Sequence, residues 1–234
     1  RAQLEERVIE RTRALETSAA VSRQLSTLLD QSQLVHEVVE QLRDAFSYYH
    51  VHIFLWDESL GALRMVGGTG EAGKAMLVMG HALRPDQGLV GRAFSTNRPV
   101  IVPDVTQDPG WLPNRLLPDT RAELAVPITY GGEVMGVLDA QDSEVNGLGP
   151  DDSQLLQTIA GQLAVALRNA RLLAQIQQEA EQAALINAIN RKIAQTTDID
   201  GAMRVAVTEL SRALEARESA VRLELAGGNG HDDH

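Results

Sequence analysis

Residues 120–141, TRAELAVPITYGGEVMGVLDAQ, constrain the chain more than any other stretch. Leu124, Val126 and Ile128 alternate with Glu123, Ala125, Pro127 and Thr129, the period of two that a strand requires. Gly131-Gly132 supplies the positive backbone angles of a tight hairpin turn. A second strand follows, with Val134, Gly136, Leu138 and Ala140 on one face and Met135, Val137, Asp139 and Gln141 on the other. Both faces are largely apolar, which predicts a hairpin at the centre of a sheet covered on both sides. Pro127 has no N–H, so a bulge or a gap in pairing is expected beside it.

Little of the remaining sequence suits a large aromatic core: 44% of the 234 residues are hydrophobic but only 3% are aromatic. The abundance of Ala, Leu, Val and Gln predicts long helices around the sheet. A formal charge of −11 argues against nucleic acid or an anionic bilayer as partner, since both need basic surface. No apolar run reaches the roughly 18 residues of a membrane span, so direct membrane insertion is not expected and a cytoplasmic location is. The absence of cysteine removes disulfides, thiolate metal sites, cysteine nucleophiles and thioether-linked chromophores together. Beginning at Arg1, the sequence reads as a segment of a longer protein.

Taken in order, residues 1–29 read as a signalling helix with a coiled-coil pattern in which Leu4, Val8, Leu15, Leu25 and Leu29 recur at heptad spacing, interrupted by Arg11, Ser18 and Ser22. A second helix is predicted over 33–47, with Asp30 and Gln33 as a capping box and Leu34, Val35, Val38, Val39, Leu42 and Phe46 as its apolar stripe. Strands are predicted at 50–57, 62–66, 74–83 and 100–102, and a short helix at 88–97, stopped before Pro99. Val51, Ile53 and Leu55 point one way, and His52, Phe54 and Trp56 the other. Residues 106–118 hold three prolines, a glycine and Trp111, and predict an irregular loop.

Gly149-Pro150-Asp151-Asp152 is a strong helix start. The helix it opens is expected to run over 150–195, about 65 Å at 1.5 Å per residue. Leu156, Ile159, Leu163, Ala166, Ala170 and Leu173 keep alternating three–four spacing and, with Leu15 and Leu25, are expected to form the seam of a homodimer with parallel helices. Residues 189–214 then align without gaps to residues 21–46, with Arg23/Arg191, Asp30/Asp198, Val39/Val207, Leu42/Leu210 and Ala45/Ala213 identical. Residues 189–225 thus read as the start of a second, truncated module, and 226–234 as a disordered tail.

The segments GLVGRAFSTNRPVIVPDVTQDPGW (88–111), AVPITYGGEVMGVLDAQ (125–141) and LQTIAGQLAVALRNARL (156–172), in that order, resemble the GAF domain, a PAS-like sensor fold. The resemblance covers about residues 22–172. It implies an α+β fold: a central antiparallel sheet of five to six strands with helices on one face, flanked by long coiled-coil helices. The leader LEERVIERTRALE (4–16) is similar to the helices that join sensor modules to histidine kinases and other bacterial receptors. An output domain or kinase partner would then lie outside this chain.

The resemblance also implies a pocket on the sheet face away from the flanking helices. Carried onto this sequence, it would hold His52, Phe54, Trp56, Phe94, Asp104, Trp111, Arg115 and Asp139. No cofactor is expected. Covalent bilin needs a cysteine, as do the methionine sulfoxide reductase members of the family. The NKFDE-type motif of cyclic-nucleotide members has no counterpart after Asn97, and a haem would need His52 or His81, each more simply a core histidine. GGTGEAG (67–73) is expected to join two strands, which leaves no helix N-terminus for phosphate. The tail HDDH (231–234) reads as disorder rather than a metal site, and His36-Glu37 lacks the surroundings of a kinase phosphoacceptor.

Three residues keep two readings each. Trp111 and Arg115, with Asn114 between them, either clamp a planar or anionic ligand, or cap the small core and lie in solvent respectively. Asp104 is expected to accept backbone N–H bonds from the turn that follows. Asp139 either pairs with a turn amide or Arg64, or makes a polar contact in the pocket. The function expected is a non-catalytic sensor or regulatory module relaying a small-molecule or partner signal through its helices; the alternative is a ligand-free dimerisation scaffold, and an enzyme is the remote third.

Overall fold

The computed structural model describes residues 31–194, with side chains to residue 191. The elements are α1 (Gln31–Phe46), β1 (His50–Asp57), β2 (Ala62–Gly68), α2 (Gly70–Val78), β3 (Ala82–Leu83), α3 (Gly88–Thr96), β4 (Val100–Val102), a 3-10 turn (Val105–Gln107), β5 (Ala122–Tyr130), β6 (Glu133–Asp142) and α4 (Pro150–Ala194). The strands form one antiparallel sheet in the order β3-β2-β1-β6-β5-β4. The hairpin of β5 and β6 therefore occupies the interior, as its two apolar faces require. Gly131 and Gly132 turn it with φ of 59° and 89°, and its register shifts between Ile128 and Thr129, one step beyond Pro127.

One face of the sheet is covered by α1 and the first turns of α4. Val51, Ile53 and Leu55 of β1 pack with Leu34, Val38 and Leu42 of α1 and with Leu156, Ile159 and Leu163 of α4, all buried. Tyr48 fixes the start of α4 to this layer: its hydroxyl donates to Asp152 Oδ1 at 2.7 Å, and Asp152 Oδ2 accepts the Gly149 N–H at 2.8 Å, capping the helix. At the hairpin tip, the Arg168 guanidinium of α4 lies 5.1 Å from the centre of the Tyr130 ring.

The other face is covered by two short helices and the long loop. Phe54, Met65, Ala125 and Val137 pack with Met76 of α2, Leu89, Val90 and Ala93 of α3, and Leu117. Helix α2 corrects the strand expected at 74–83, of which only Ala82–Leu83 is extended. Gly73 and Met76, three residues apart, are its buried positions, a helical spacing rather than an alternating one. Gly73 lies directly on the Gly68 carbonyl, where any Cβ would collide. The glycine-rich stretch thus leads into a helix after all, but the Gly70 N–H at its start faces the Glu40 carboxylate at 3.5 Å rather than an anion site.

The homodimer seam read from the sequence is also corrected. Leu156, Ile159, Leu163 and Ala170 are buried against the chain's own sheet and α1, and Ala166 packs at the edge of that core, so their stripe is the domain's inner face; Leu173 is exposed. The outward side of α4 carries exposed Val165 and Leu172. Contacts divide the chain into two units, the second beginning at Ala174; its described part continues α4 with Ile176, Leu185 and Ile186 exposed. Leu15, Leu25, the Asp30 cap, the leader helix and the residues of the second module beyond 194 lie outside the described residues.

Candidate functional site

Alternation along three neighbouring strands gathers the polar residues of the sheet at one place. The register sets His52 opposite Asp139, and Glu123 opposite Gln141, on the face turned toward α2 and α3. All four are buried. His52 Nε2 lies 2.6 Å from Asp139 Oδ2, and Gln141 Nε2 donates to the same oxygen at 3.3 Å. Thr120 Oγ1 donates to Gln141 Oε1 at 2.7 Å, and the Trp111 indole N–H donates to Glu123 Oε2 at 2.9 Å. Glu123 and Asp139 stand on neighbouring strands of this face, close enough for each carboxyl to act on the other.

Above this row is a cavity of about 440 Å³, within the range of small-molecule sites. Its floor is His52, Phe54, Glu123 and Gln141; its walls are Met76, His81, Leu83, Leu89 and Val90; Leu112, Asn114, Arg115 and Leu116 of the long loop close the mouth. The Arg92–Asp108 ion pair at 2.7 Å and the Trp111–Glu123 bond hold that loop to α3 and to the sheet.

Burial dominates the electrostatics. It pushes His52 down to about 3, helped by His81, and His50 down to about 2, helped by His52 and Arg43. Both imidazoles are therefore neutral at physiological pH, and His52 meets Asp139 through a hydrogen bond between neutral ring and carboxyl rather than as a cation. Burial likewise raises both acids, and the charge of Asp139 raises Glu123 further. The bonds from Gln141 and Glu123 act the other way on Asp139, but burial prevails and pushes it up to about 8, so the surroundings favour the protonated form of both carboxyls at neutral pH.

Of the eight pocket residues expected from the sequence, His52, Phe54 and Arg115 line the cavity. Trp56 and Phe94 stack on one another, centroids 5.1 Å apart, at the flank of the small core. Asp104 accepts the Thr106 N–H at 3.0 Å, the local role expected of it, and stands apart from the cavity. Trp111 is bonded to Glu123 and does not pair with Arg115, so the proposed clamp is not formed; Arg115 is exposed at the mouth. Asp139 pairs with His52, and Arg64 instead bonds Asp57 at 3.1 Å.

Sequence reasoning missed Glu123, Gln141 and Met76. Glu123 shares its face of the strand with Ala125, Pro127 and Thr129, and a lone acid there carries no mark of a site within that strand. The signal was nonetheless present: folding the hairpin at Gly131-Gly132 sets Glu123 against Gln141 and beside Asp139, three polar side chains on one face of a strand pair too apolar to be an edge.

The GAF domain description matches residues 29–168, from the region of α1 to the middle of α4. The chain belongs to the GAF domain family. Its GAF fold is similar to the solved GAF domain of a phosphoenolpyruvate-protein phosphotransferase from Coxiella burnetii, with a TM-score of 0.64 at 21% identity over 70% of this chain and 98% of that one. It is also similar to the free methionine-R-sulfoxide reductase of Neisseria meningitidis in complex with its substrate, with a TM-score of 0.61 at 20% identity over 68% of this chain and 91% of that one. Among curated proteins, a Nif-specific regulatory protein of Azospirillum brasilense is 29% identical over 164 residues. That match takes in 66% of this chain and 26% of the relative, so the chain spans about a quarter of that protein's length. No helix among the described residues is long and apolar enough to cross a membrane.

Proposed function

We propose that this GAF domain is the sensing module of a cytoplasmic signal-transduction protein, binding a small molecule in the cavity above Glu123 and Gln141 and passing the bound state to its flanking helices. The observation that carries this reading is a cavity with a polar floor beside Trp111, where a ligand-free scaffold would fill the same space with its own side chains. A regulatory role accords with the likeness to the Nif-specific regulatory protein. The reading is non-catalytic. The GAF-fold reductases shown by the structural comparison work on a sulfoxide, and the cysteine chemistry that the family's reductases use has no thiol in this sequence.

The route out of the site is short. Strand β6 carries Asp139 and Gln141, ends at Asp142, and leads within eight residues to Pro150 and α4. The hairpin tip touches the same helix through Tyr130 and Arg168. In the proposed homodimer the outward face of α4, with Val165 and Leu172 seven residues apart, meets a second copy. An output domain or kinase would take up the resulting shift. Native mass spectrometry of the protein isolated from its own host tests the reading: a co-purifying small molecule that is lost on filling the cavity with Leu89→Trp supports it. Mass identical to the bare chain, with no metabolite extract altering Trp111 fluorescence, would overturn it.

A further inference from the structure

We infer that the surface around the cavity mouth docks another protein, and that the docked element is an amphipathic helix carrying an acidic residue beside its apolar stripe.

Five large apolar side chains stand exposed there as one patch. Leu77, Val78 and Met79 form the end of α2, and Leu112 and Leu116 belong to the long loop; Met79, Leu112 and Leu116 meet at the cavity mouth. Single apolar residues on a surface are ordinary, whereas a contiguous group of this kind marks a contact site. Val78 is 89% exposed and Met79 66%. Leu77 and Val78 do not line the cavity, so a small molecule held inside leaves them bare. The patch calls for something larger, and it does so whether or not the cavity holds a ligand.

Both banks of the patch are fixed. Gly80, at φ 66°, ends α2: its N–H donates to the Leu77 carbonyl at 3.1 Å, and the His81 N–H donates to the Met76 carbonyl at 3.0 Å. Leu77, Val78 and Met79 thus project from a closed helix end rather than a frayed one. On the loop, the Leu116 N–H donates to Asn114 Oδ1 and the Leu117 N–H to the Asn114 carbonyl, each at 3.0 Å. The Asn114 amide then reaches across to the Met76 sulfur at 3.0 Å and ties the loop to α2. A surface held in this way gives up little freedom when a partner settles on it.

The form and charge of the occupant follow. Neither bank is a strand, so neither offers an edge to which an extended segment could add. Contact must come through side chains, and a helix delivers apolar ones at three–four spacing. Arg115, between Leu112 and Leu116 in the chain, sets the charge. It is exposed and makes no hydrogen bond or ion pair among the described residues, whereas Arg64, Arg84 and Arg92 each hold an aspartate. Lys74, one turn before Val78, is paired with Glu71 at 2.8 Å. The uncommitted charge at the patch is therefore positive. Screening over about 8 Å at physiological ionic strength makes this local charge, not the −11 of the whole chain, what a docked helix meets. A second copy seated on the same patch about a two-fold axis would instead bring two Arg115 side chains together with no acid between them.

Fluorescence anisotropy of the 234-residue chain with three labelled peptides of about 18 residues, long enough to form a helix, tests the inference. The first carries leucines at helical spacing flanked by glutamates, the second has lysines in place of the glutamates, and the third is the first with two central prolines. The glutamate helix should bind at least about tenfold more tightly than either of the others. Val78→Asp should weaken it at least about tenfold, and Arg115→Glu should turn the preference toward the lysine peptide. Both positions are exposed, so unchanged melting temperatures certify the fold of the variants. No binding of any peptide, equal binding of the glutamate and lysine helices, or wild-type affinity in Val78→Asp overturns the inference. Tighter binding of the proline peptide overturns it in favour of an extended partner. A dimer by light scattering that Val78→Asp dissociates overturns it in favour of a second copy. Each of these failures leaves the sensor reading standing, because none of the peptides probes the cavity floor.

Discussion

The Trp111 indole donates to Glu123 Oε2 at 2.9 Å, and by that bond the long loop between β4 and β5 is fastened to a buried acid in the middle of the sheet. It joins the mouth of the cavity to its floor. Replacing Trp111 by Phe keeps the ring and deletes the donor, which leaves the Glu123 oxygen without its partner. The cost should be about 1–3 kcal/mol in urea unfolding. Faster hydrogen exchange at the amides of Leu112 and Leu116 should accompany it, and an unaltered unfolding midpoint would show that water replaces the indole.

Glu123 should make the protein less stable as pH rises. Its folded value is raised above that of the unfolded chain, so above about pH 4.5 the unfolded state has shed a proton that the folded state keeps. Stability therefore falls with rising pH until the folded value is passed. Glu123→Gln removes the contribution of this carboxyl and leaves that of Asp139, which burial pushes up to about 8 and which adds to the same trend in both proteins. Its stability relative to wild type should climb between pH 5 and pH 8 by up to about 1.4 kcal/mol per pH unit. Parallel unfolding curves for the two proteins over that range would show Glu123 ionised in the fold.

Helix α2 offers a case in which propensity and packing predict opposite signs. Gly73 is interior to the helix, so alanine there should stabilise by about 0.8–1 kcal/mol on propensity alone. An added Cβ, however, meets the carbonyl group of Gly68, a backbone neighbour that cannot swing aside. Overpacking of this kind costs about 1–3 kcal/mol. Gly73→Ala should therefore lower the melting temperature and perturb Met76 at the cavity wall; a raised melting temperature would mean that α2 moves away from the sheet freely.

The same glycine explains much of what the sequence did and did not reveal. The hairpin, β1 and both ends of α1 within two residues were legible, because their alternation or three–four spacing is long and uninterrupted. Helix α2 was not. Nine residues with only Gly73 and Met76 buried give almost no periodic signal, and three glycines in the preceding stretch suggest a turn. At the site, His52 and Phe54 followed from the strand's alternation. Glu123 escaped notice because a buried acid is rare, and its burial depends on α3 and the loop lying over that face. Only register across three strands brings it to Asp139 and Gln141, and register is a property of pairs of strands rather than of any one.

The two faces of α4 should answer differently to charge. Leu163 is fully buried against the sheet, whereas Val165, two residues on, is 48% exposed. A glutamate at 163 must be desolvated among Leu34, Ile53 and Leu138 with no cation beside it. Leu163→Glu should cost about 4 kcal/mol or more and abolish cooperative unfolding, a folding defect rather than a loss of association. Val165→Glu disturbs no core contact and should leave the melting temperature within about 1–2 °C, since exposed substitutions rarely exceed 0.5 kcal/mol. If the outward face of α4 joins two copies, Val165→Glu and Leu172→Glu should shift the mass by light scattering from dimer to monomer while circular dichroism is unchanged. A dimer that survives both substitutions would exclude this face and direct the search to the segments flanking the domain.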